Sequence, residues 1–192
     1  MLVKEKIKPN VFVELLSKVT TTQLFWIVSF SILTVFAAQV SIPIKPVPFT
    51  LQTMLVILSG AFLGARNGAI SQILYLTVGA IGLPVFANFS LGIQTLFGPT
   101  GGYLIAFPVA AFLVGSILEK KRSLLTISLA MILGTLTILL SGAAYLSLFF
   151  DGNFNQALLS GVLIFSLWDI VKISAAVSIY YAFSKKYPKL PA

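Results

Sequence analysis

The chain has 192 residues, of which 58% are apolar and 9% charged, and its mean hydropathy of +1.01 indicates a protein embedded in lipid rather than a soluble domain. Its 13 Lys and Arg residues outnumber 5 Asp and Glu residues, but they fall in short clusters between apolar runs, which favours membrane topology over nucleic-acid binding. The absence of Cys and His excludes thiolate and imidazole chemistry and the usual zinc and haem sites, so neither an enzyme nor a cofactor is predicted.

Six apolar runs follow one another along the chain and predict six transmembrane helices, since a bilayer core needs roughly twenty helical residues. The runs are Leu24–Ile42, Leu51–Leu63, Gly68–Leu83, Tyr103–Leu118, Leu124–Phe149 and Leu158–Phe183. The second and third are short, which favours tilted helices or a cavity shielded by neighbouring helices. The fold class is therefore all-α, and residues 1–192 are predicted to form one membrane-embedded domain.

The basic residues predict the orientation, because they are enriched on the cytoplasmic side of membranes. With both termini in the cytoplasm, eleven of them face inward: Lys4, Lys6, Lys8, Lys18, Arg66, Lys120, Lys121, Arg122, Lys185, Lys186 and Lys189. Residues 1–22 are then a cytoplasmic or interfacial segment. The Pro-rich loop SIPIKPVPFT and the Gly-rich loop before the fourth run lie outside, with Lys45 close to the entrance of any outer cavity.

A carboxylate and an ammonium stand within the last apolar run, in the stretch LWDIVK. Asp169 and Lys172 share one helical face, and ionised groups in a membrane normally face the bundle interior or a wet cavity. One interpretation is an internal ion pair that only neutralises itself. The other is a polar pair lining a ligand pocket, where it supplies an acceptor and a donor to a ligand that presents N–H groups beside a carbonyl.

The outer loops hold the remaining candidate binding residues. Asn88 lies among aromatic residues that include Phe86 and Phe89, and the GPTGGY stretch that follows contributes Thr100, as the cap of the fourth helix, and Tyr103. An ordinary exterior loop is the alternative interpretation of this segment.

Two further candidates lie on the second and third runs. Gln52, which follows the Pro-rich loop, is either a ligand contact or a helix-to-helix hydrogen bond, and Tyr75 is a weaker candidate. GPTGG lacks the Lys-Ser/Thr ending of a nucleotide-binding loop, and no GK dipeptide occurs in the chain, so no ATP site is predicted.

Three motifs occur in the order that is typical of the BioY family, and through them the chain resembles that family. The first begins at PVPFTLQ and continues to GAIGLPVF, the second is GPTGGYL, and the third is the D-x-x-K pair formed by Asp169 and Lys172. The resemblance extends over about residues 37–115 and resumes around 161–172. Members of that family are the biotin-binding S components of energy-coupling factor (ECF) transporters.

The resemblance implies a six-helix S-component fold in the bacterial plasma membrane, which binds biotin from outside. It further implies a transmembrane coupling subunit and two ATPase subunits as partners, with ATP hydrolysed only on those partners. By the same resemblance, Asn88, Asp169 and Lys172 are polar ligand contacts, and outer-loop aromatic residues cover the rings and valeryl chain of biotin. An S component or secondary carrier for another small vitamin is the alternative.

Overall fold

The computed structural model describes residues 22–163 and 166–191. The predicted interfacial segment lies, except for residue 22, outside the described residues. The elements in chain order are α1 (Gln23–Gln39), β1 (Ser41–Ile42), β2 (Phe49–Thr50), α2 (Gln52–Ala80), α3 (Ile93–Phe97), α4 (Gly101–Lys120), α5 (Leu124–Leu146), α6 (Phe154–Gly161) and α7 (Ser166–Ser184). Short 3-10 turns cover Ala87–Phe89 and Ser147–Phe150.

The predicted all-α class is confirmed, with one small exception in the Pro-rich loop. There, β1 and β2 form an antiparallel pair of two residues each, with Ser41 opposite Thr50 and Ile42 opposite Phe49. We call residues 41–50 the outer loop. Its two strands bring the end of α1 next to the start of α2.

The second and third apolar runs form α2, which folds back on itself at Gly64. In a straight helix Gln52 and Tyr75 would lie about 35 Å apart, at roughly 1.5 Å per residue. Instead Gln52 Nε2 donates to the Tyr75 hydroxyl at 2.6 Å, and Gln72 Nε2 donates to Ser59 Oγ at 3.1 Å. Gly64 makes the reversal with a φ of +80°, a conformation that glycine adopts without a steric penalty.

The last apolar run, which was expected to be one helix, contains two helical elements. α6 ends at Gly161, and α7 begins at Ser166. Asp169 therefore lies in the first turn of α7 rather than in the middle of a span. The positive end of a helix dipole stabilises a carboxylate at such a position, which lowers the cost of its burial.

Three helical segments of the described chain are long and apolar enough to cross a bilayer: Gln52–Ala80, Gly101–Lys120 and Leu124–Phe150. The helix Gln23–Gln39 is apolar but shorter. Nothing in the structure conflicts with six spans, and that number stays a prediction.

Glycine permits the close packing of α2 against α4. A Cβ on Gly60 would lie 2.1 Å from the carbonyl oxygen of Ala111, and a Cβ on Gly115 would lie 2.2 Å from the backbone N of Ala65. Both contacts are backbone against backbone, and no side chain can rotate away to relieve them. Because these glycines have no side chain, the backbones of α2 and α4 can approach each other directly.

The folded chain has two distinct ends. At one end, which we call the basic end, the tail after α7 returns to the turn of α2: Leu190 N donates to the Phe62 carbonyl at 2.7 Å, and Lys189 Nζ lies 2.6 Å from Glu119 Oε1. The start of α1 lies there as well, since Gln23 and Lys189 line the same surface depression. The outer loop, the segment 85–90 and the start of α7 lie at the opposite end, in agreement with the predicted orientation.

Candidate ligand-binding site

A cavity of about 270 Å³ lies at the end opposite the basic end. Its volume is close to the lower limit of small-molecule pockets, which is about 300 Å³. Its walls come from the outer loop, the starts of α2 and α4, the segment 86–90, α3, α5 and the first turns of α7. Seven of the nine residues predicted to form the site line it: Gln52, Phe86, Asn88, Thr100, Tyr103, Asp169 and Lys172.

Asp169 and Lys172 form a buried ion pair on the wall that α7 contributes. Lys172 Nζ lies 2.6 Å from Asp169 Oδ1, and the two residues are 7% and 4% exposed, respectively. Lys172 Nζ also donates to Thr53 Oγ1 at 2.7 Å and to the Thr50 carbonyl oxygen at 3.3 Å. The three N–H bonds of this ammonium are therefore directed at protein oxygens.

The carboxylate of Asp169 is less well satisfied than its partner. Apart from the ion pair, neither Oδ1 nor Oδ2 accepts a hydrogen bond from any residue that the structure describes. A buried acceptor without a hydrogen bond costs about 1–3 kcal/mol, and more when it is charged. Because Asp169 lines the cavity, a ligand with N–H groups can supply the missing bonds.

A hydrogen-bonded layer behind the cavity orients Gln52. Its Oε1 accepts from Thr50 Oγ1 at 3.0 Å, and its Nε2 donates to the Tyr75 hydroxyl, which in turn donates to the Val85 carbonyl at 3.2 Å. Tyr75 is fully buried, and it stacks on Phe107 and meets Phe86 edge to face. It does not line the cavity, so the structure places it as a support for Gln52 and Phe86.

Asn88 lies in the mouth of the cavity, on the 3-10 turn after α2. Its backbone has a φ of +55°, a conformation that Asn adopts more readily than most residues. Its Oδ1 accepts from Ser41 Oγ at 3.0 Å, which orients the amide and leaves Nδ2 available to donate to a ligand. Gln39 of α1 holds this segment through bonds to the Phe86 carbonyl at 3.1 Å and from Phe89 N at 3.1 Å.

Thr100 and Tyr103 line the cavity from the start of α4. Thr100 occupies the N-cap position, but its side chain makes no capping hydrogen bond, so the predicted capping role is wrong. Tyr103 donates its hydroxyl to the Gly161 carbonyl at 3.0 Å and so ties α4 to the end of α6. Tyr103 lines the cavity together with Leu104 and Phe107, which supply an apolar wall.

Phe89, by contrast, lies outside the cavity and is 67% exposed. Its backbone φ is +57°. Its predicted ligand contact is untested, and in this conformation the ring does not reach the lining.

Sequence reasoning missed two residues beside Lys172. Thr53 is a hydrogen-bond acceptor for its ammonium, and the Phe49 ring centroid lies 4.6 Å from Nζ. Both line the cavity. Thr53 could have been found, because a second polar residue directly follows Gln52 at the start of an apolar run.

Metal binding finds no support in the described part of the chain, where no group of three or more Asp, Glu, His or Cys side chains comes together. The arrangement is instead that of a small, largely apolar cavity with a few polar groups, which suits a neutral ring system that carries N–H donors.

The chain is similar over most of its length to proteins named as biotin transporters or probable biotin transporters. It is 47% identical over 150 residues to the probable biotin transporter BioY of Pyrococcus horikoshii, covering 78% of this chain and 88% of that protein. It is 41% identical to the biotin transporter BioY of Thermotoga maritima, with the same two coverages.

A solved structure has the same fold. The S component for biotin from an ECF-type ABC transporter superposes with a TM-score of 0.79 at 27% identity, covering 94% of this chain and 95% of that one. The expected S-component fold is thereby confirmed. The family model described as "BioY family" matches residues 10–189, and the chain belongs to the BioY family.

Proposed function

We propose that this chain captures biotin at the outer face of a cell membrane and serves as the substrate-binding subunit of an ECF-type ABC transporter. The observation that carries the proposal is the buried Asp169 carboxylate, which faces a small cavity and, apart from its ion pair with Lys172, accepts no hydrogen bond from the described residues. Relatives over 78% of the chain are biotin transporters by name, which supports the same ligand.

The chemistry of biotin matches the groups in the cavity. Its ureido head has two N–H donors beside one carbonyl acceptor, and its tail ends in a carboxylate. Asp169 accepts from a ureido N–H, because it is the acceptor with unused capacity. Asn88 donates to the ureido carbonyl through Nδ2, and the apolar wall of Leu104 and Phe107 covers the ring system.

The remaining parts of the proposal concern topology and partners. The chain is a multi-pass membrane protein with six spans and forms one domain with the segment 1–22 on its cytoplasmic side. A transmembrane coupling subunit and two ATPase subunits complete the transporter. Because the sequence has no nucleotide-binding motif, ATP is bound and hydrolysed on those subunits, and this chain needs no cofactor.

Calorimetric titration of the detergent-purified chain with biotin tests the ligand. We expect saturable binding at one site per chain, with no displacement by thiamin or riboflavin. Saturable binding of thiamin or riboflavin, with no heat on titration with biotin, would replace biotin by that vitamin in this proposal. If none of the three binds, the role as a vitamin-binding subunit is refuted.

A further inference from the structure

The surface depression at the basic end, which we call the basic depression, has a volume of about 530 Å³. Its polar lining consists of two amides, Gln23 and Asn67, and two cations, Arg66 and Lys189. No acidic residue of the described chain lines it, so its lining carries a net positive charge. An anion is therefore the kind of ligand that this charge favours.

Arg66 supplies a guanidinium that the described part of the fold leaves without a partner. It follows the reversal at Gly64 by two residues, and it is exposed. The ion pairs and hydrogen bonds among the described residues do not include its side chain. The planar guanidinium presents five N–H donors in a geometry that matches phosphate oxygens. Arg66 therefore has its full set of donors available to a phosphate group.

Lys189 brings a second cation into the same depression from a distant part of the sequence. Its ion pair with Glu119, at 2.6 Å, uses one of the three N–H bonds of the ammonium. The tail that carries it is fixed by the bond from Leu190 N to the Phe62 carbonyl at 2.7 Å. Because both contacts exist before any ligand binds, little conformational entropy is lost when the ammonium meets an anion.

The rest of the basic depression is apolar, and its apolar residues lie farther from the basic end than its polar ones. α1 starts at that end, and the second arm of α2, residues 65–80, leaves it after the reversal. On α1, Ile27 follows Gln23 by about one helical turn, or roughly 5.4 Å. On the second arm, Ile70 follows Arg66 by the same interval. A charged end that continues into an apolar groove matches the order of groups in a phospholipid.

We propose that the basic depression binds one anionic phospholipid from the leaflet at the basic end of the molecule. Its phosphate lies between Arg66 and Lys189, and one acyl chain runs along Ile27 and Ile70. Basic pockets between helices on the cytoplasmic side of a membrane bind such head groups. An anionic lipid is favoured over a zwitterionic one, because the choline group of phosphatidylcholine would bring a third cation to the two already there. The proposal does not depend on biotin, since the ligand cavity lies at the opposite end.

Native mass spectrometry of the full chain, purified in a neutral detergent, tests the proposal by counting the lipids that stay bound. The two probes are dioleoylphosphatidylglycerol, which is anionic, and dioleoylphosphatidylcholine, which has the same acyl chains and no net charge. We expect the first molecule of the anionic lipid to bind at least about tenfold more tightly than the first molecule of the zwitterionic lipid. Inorganic phosphate at millimolar concentration should not displace it, because phosphate lacks the acyl chain that fills the apolar groove.

Arg66→Gln removes one of the two cations and should weaken binding of the anionic lipid by about fivefold or more. Because Arg66 is exposed and has no partner among the described residues, this variant should keep the unfolding midpoint of the parent. Arg122→Gln is the matched control, since it makes the same change at another exposed arginine that does not line the depression. It should leave the affinity for the anionic lipid unchanged.

Three results would overturn the lipid site. The first is equal binding of the two lipids by the parent chain, or no binding of either, a comparison that needs no variant. The second is an equal loss of affinity in Arg66→Gln and Arg122→Gln, which would mean that only the overall positive charge of this end attracts the lipid. The third is displacement of the anionic lipid by millimolar phosphate, which would make free phosphate the ligand.

Discussion

Replacing Asp169 by Asn removes a single charge and keeps the shape of the side chain. In the structure this carboxylate is 4% exposed, forms an ion pair with Lys172 and has no other partner among the described residues. In the Asn variant, the amide oxygen takes the place of Oδ1 beside Lys172, and the amide N–H₂ replaces Oδ2. A ligand N–H that bound Oδ2 then faces a donor instead of an acceptor.

The loss of affinity follows from this exchange. A hydrogen bond to a charged group contributes about 1.5–3 kcal/mol, and each 1.4 kcal/mol is tenfold in affinity, so biotin should bind roughly 10- to 150-fold more weakly. An effect of this size is the expected result of a direct hydrogen bond between the ligand and Asp169.

The same substitution also destabilises the fold, and the two effects must be separated. Removing one partner of a buried ion pair costs about 3–5 kcal/mol, because the other charge is left without compensation. Lys172 keeps its bonds to Thr53 and the Thr50 carbonyl, so we expect the lower end of that range. The double variant Asp169→Asn with Lys172→Met restores neutrality and should recover much of the stability while biotin affinity stays low.

Calorimetry for affinity and thermal unfolding in detergent for stability distinguish these outcomes. Asp151→Asn is the matched control: it makes the same chemical change at an exposed residue outside the cavity, and its φ of +50° suits Asn. It should change neither quantity. If Asp169→Asn binds biotin with an affinity within threefold of the parent value, the carboxylate does not contact the ligand.

Two further predictions concern the framework that positions the site. Gly115→Ala places a Cβ 2.2 Å from the backbone of Ala65 and should lower stability by about 1–3 kcal/mol, despite the better helix propensity of alanine. In the control variant Gly98→Ala the new Cβ would lie 3.5 Å from its neighbours, and stability should not fall. The unfolding midpoints of the two variants test this difference. Tyr75→Phe removes the acceptor for a buried Gln52 N–H and should also cost about 1–3 kcal/mol, whereas an unchanged midpoint would mean that water replaces the hydroxyl.

The sequence was sufficient to predict the charged pair and the side of the molecule on which the outer loops lie. Ionisable residues are so costly in a membrane that Asp169 and Lys172 stand out without any structural information. The distribution of Arg66, Lys189 and the other basic residues then placed the outer loops on the side opposite the positive charges. Both predictions depend on the free-energy cost of placing charged residues in or across a membrane, and few alternative arrangements of the chain avoid that cost.

Other features depend on small energies or on distant parts of the chain, and the sequence did not predict them. Nothing local to LWDIVK shows that a helix begins at Ser166, because an apolar run continues through the break. The contact of Lys172 with the Thr50 carbonyl joins residues 122 positions apart. The reversal at Gly64 was predicted as a boundary between two short runs, but the direct contact of backbones at Gly60 and Gly115 was not.

The unequal satisfaction of the two charges argues that the pair serves a ligand rather than only itself. An ion pair selected for neutrality alone would gain from satisfying both partners, yet Lys172 has three oxygen partners and Asp169 has only its cation. The missing hydrogen bonds of the carboxylate lower the stability of the empty protein, and a ligand that supplies them recovers that energy. By mass action biotin should stabilise the fold by about 2.7 kcal/mol at a concentration 100 times its Kd, and Asp169→Asn, which should bind biotin roughly 10- to 150-fold more weakly, should lose about 1.3–2.4 kcal/mol of this stabilisation at the same concentration.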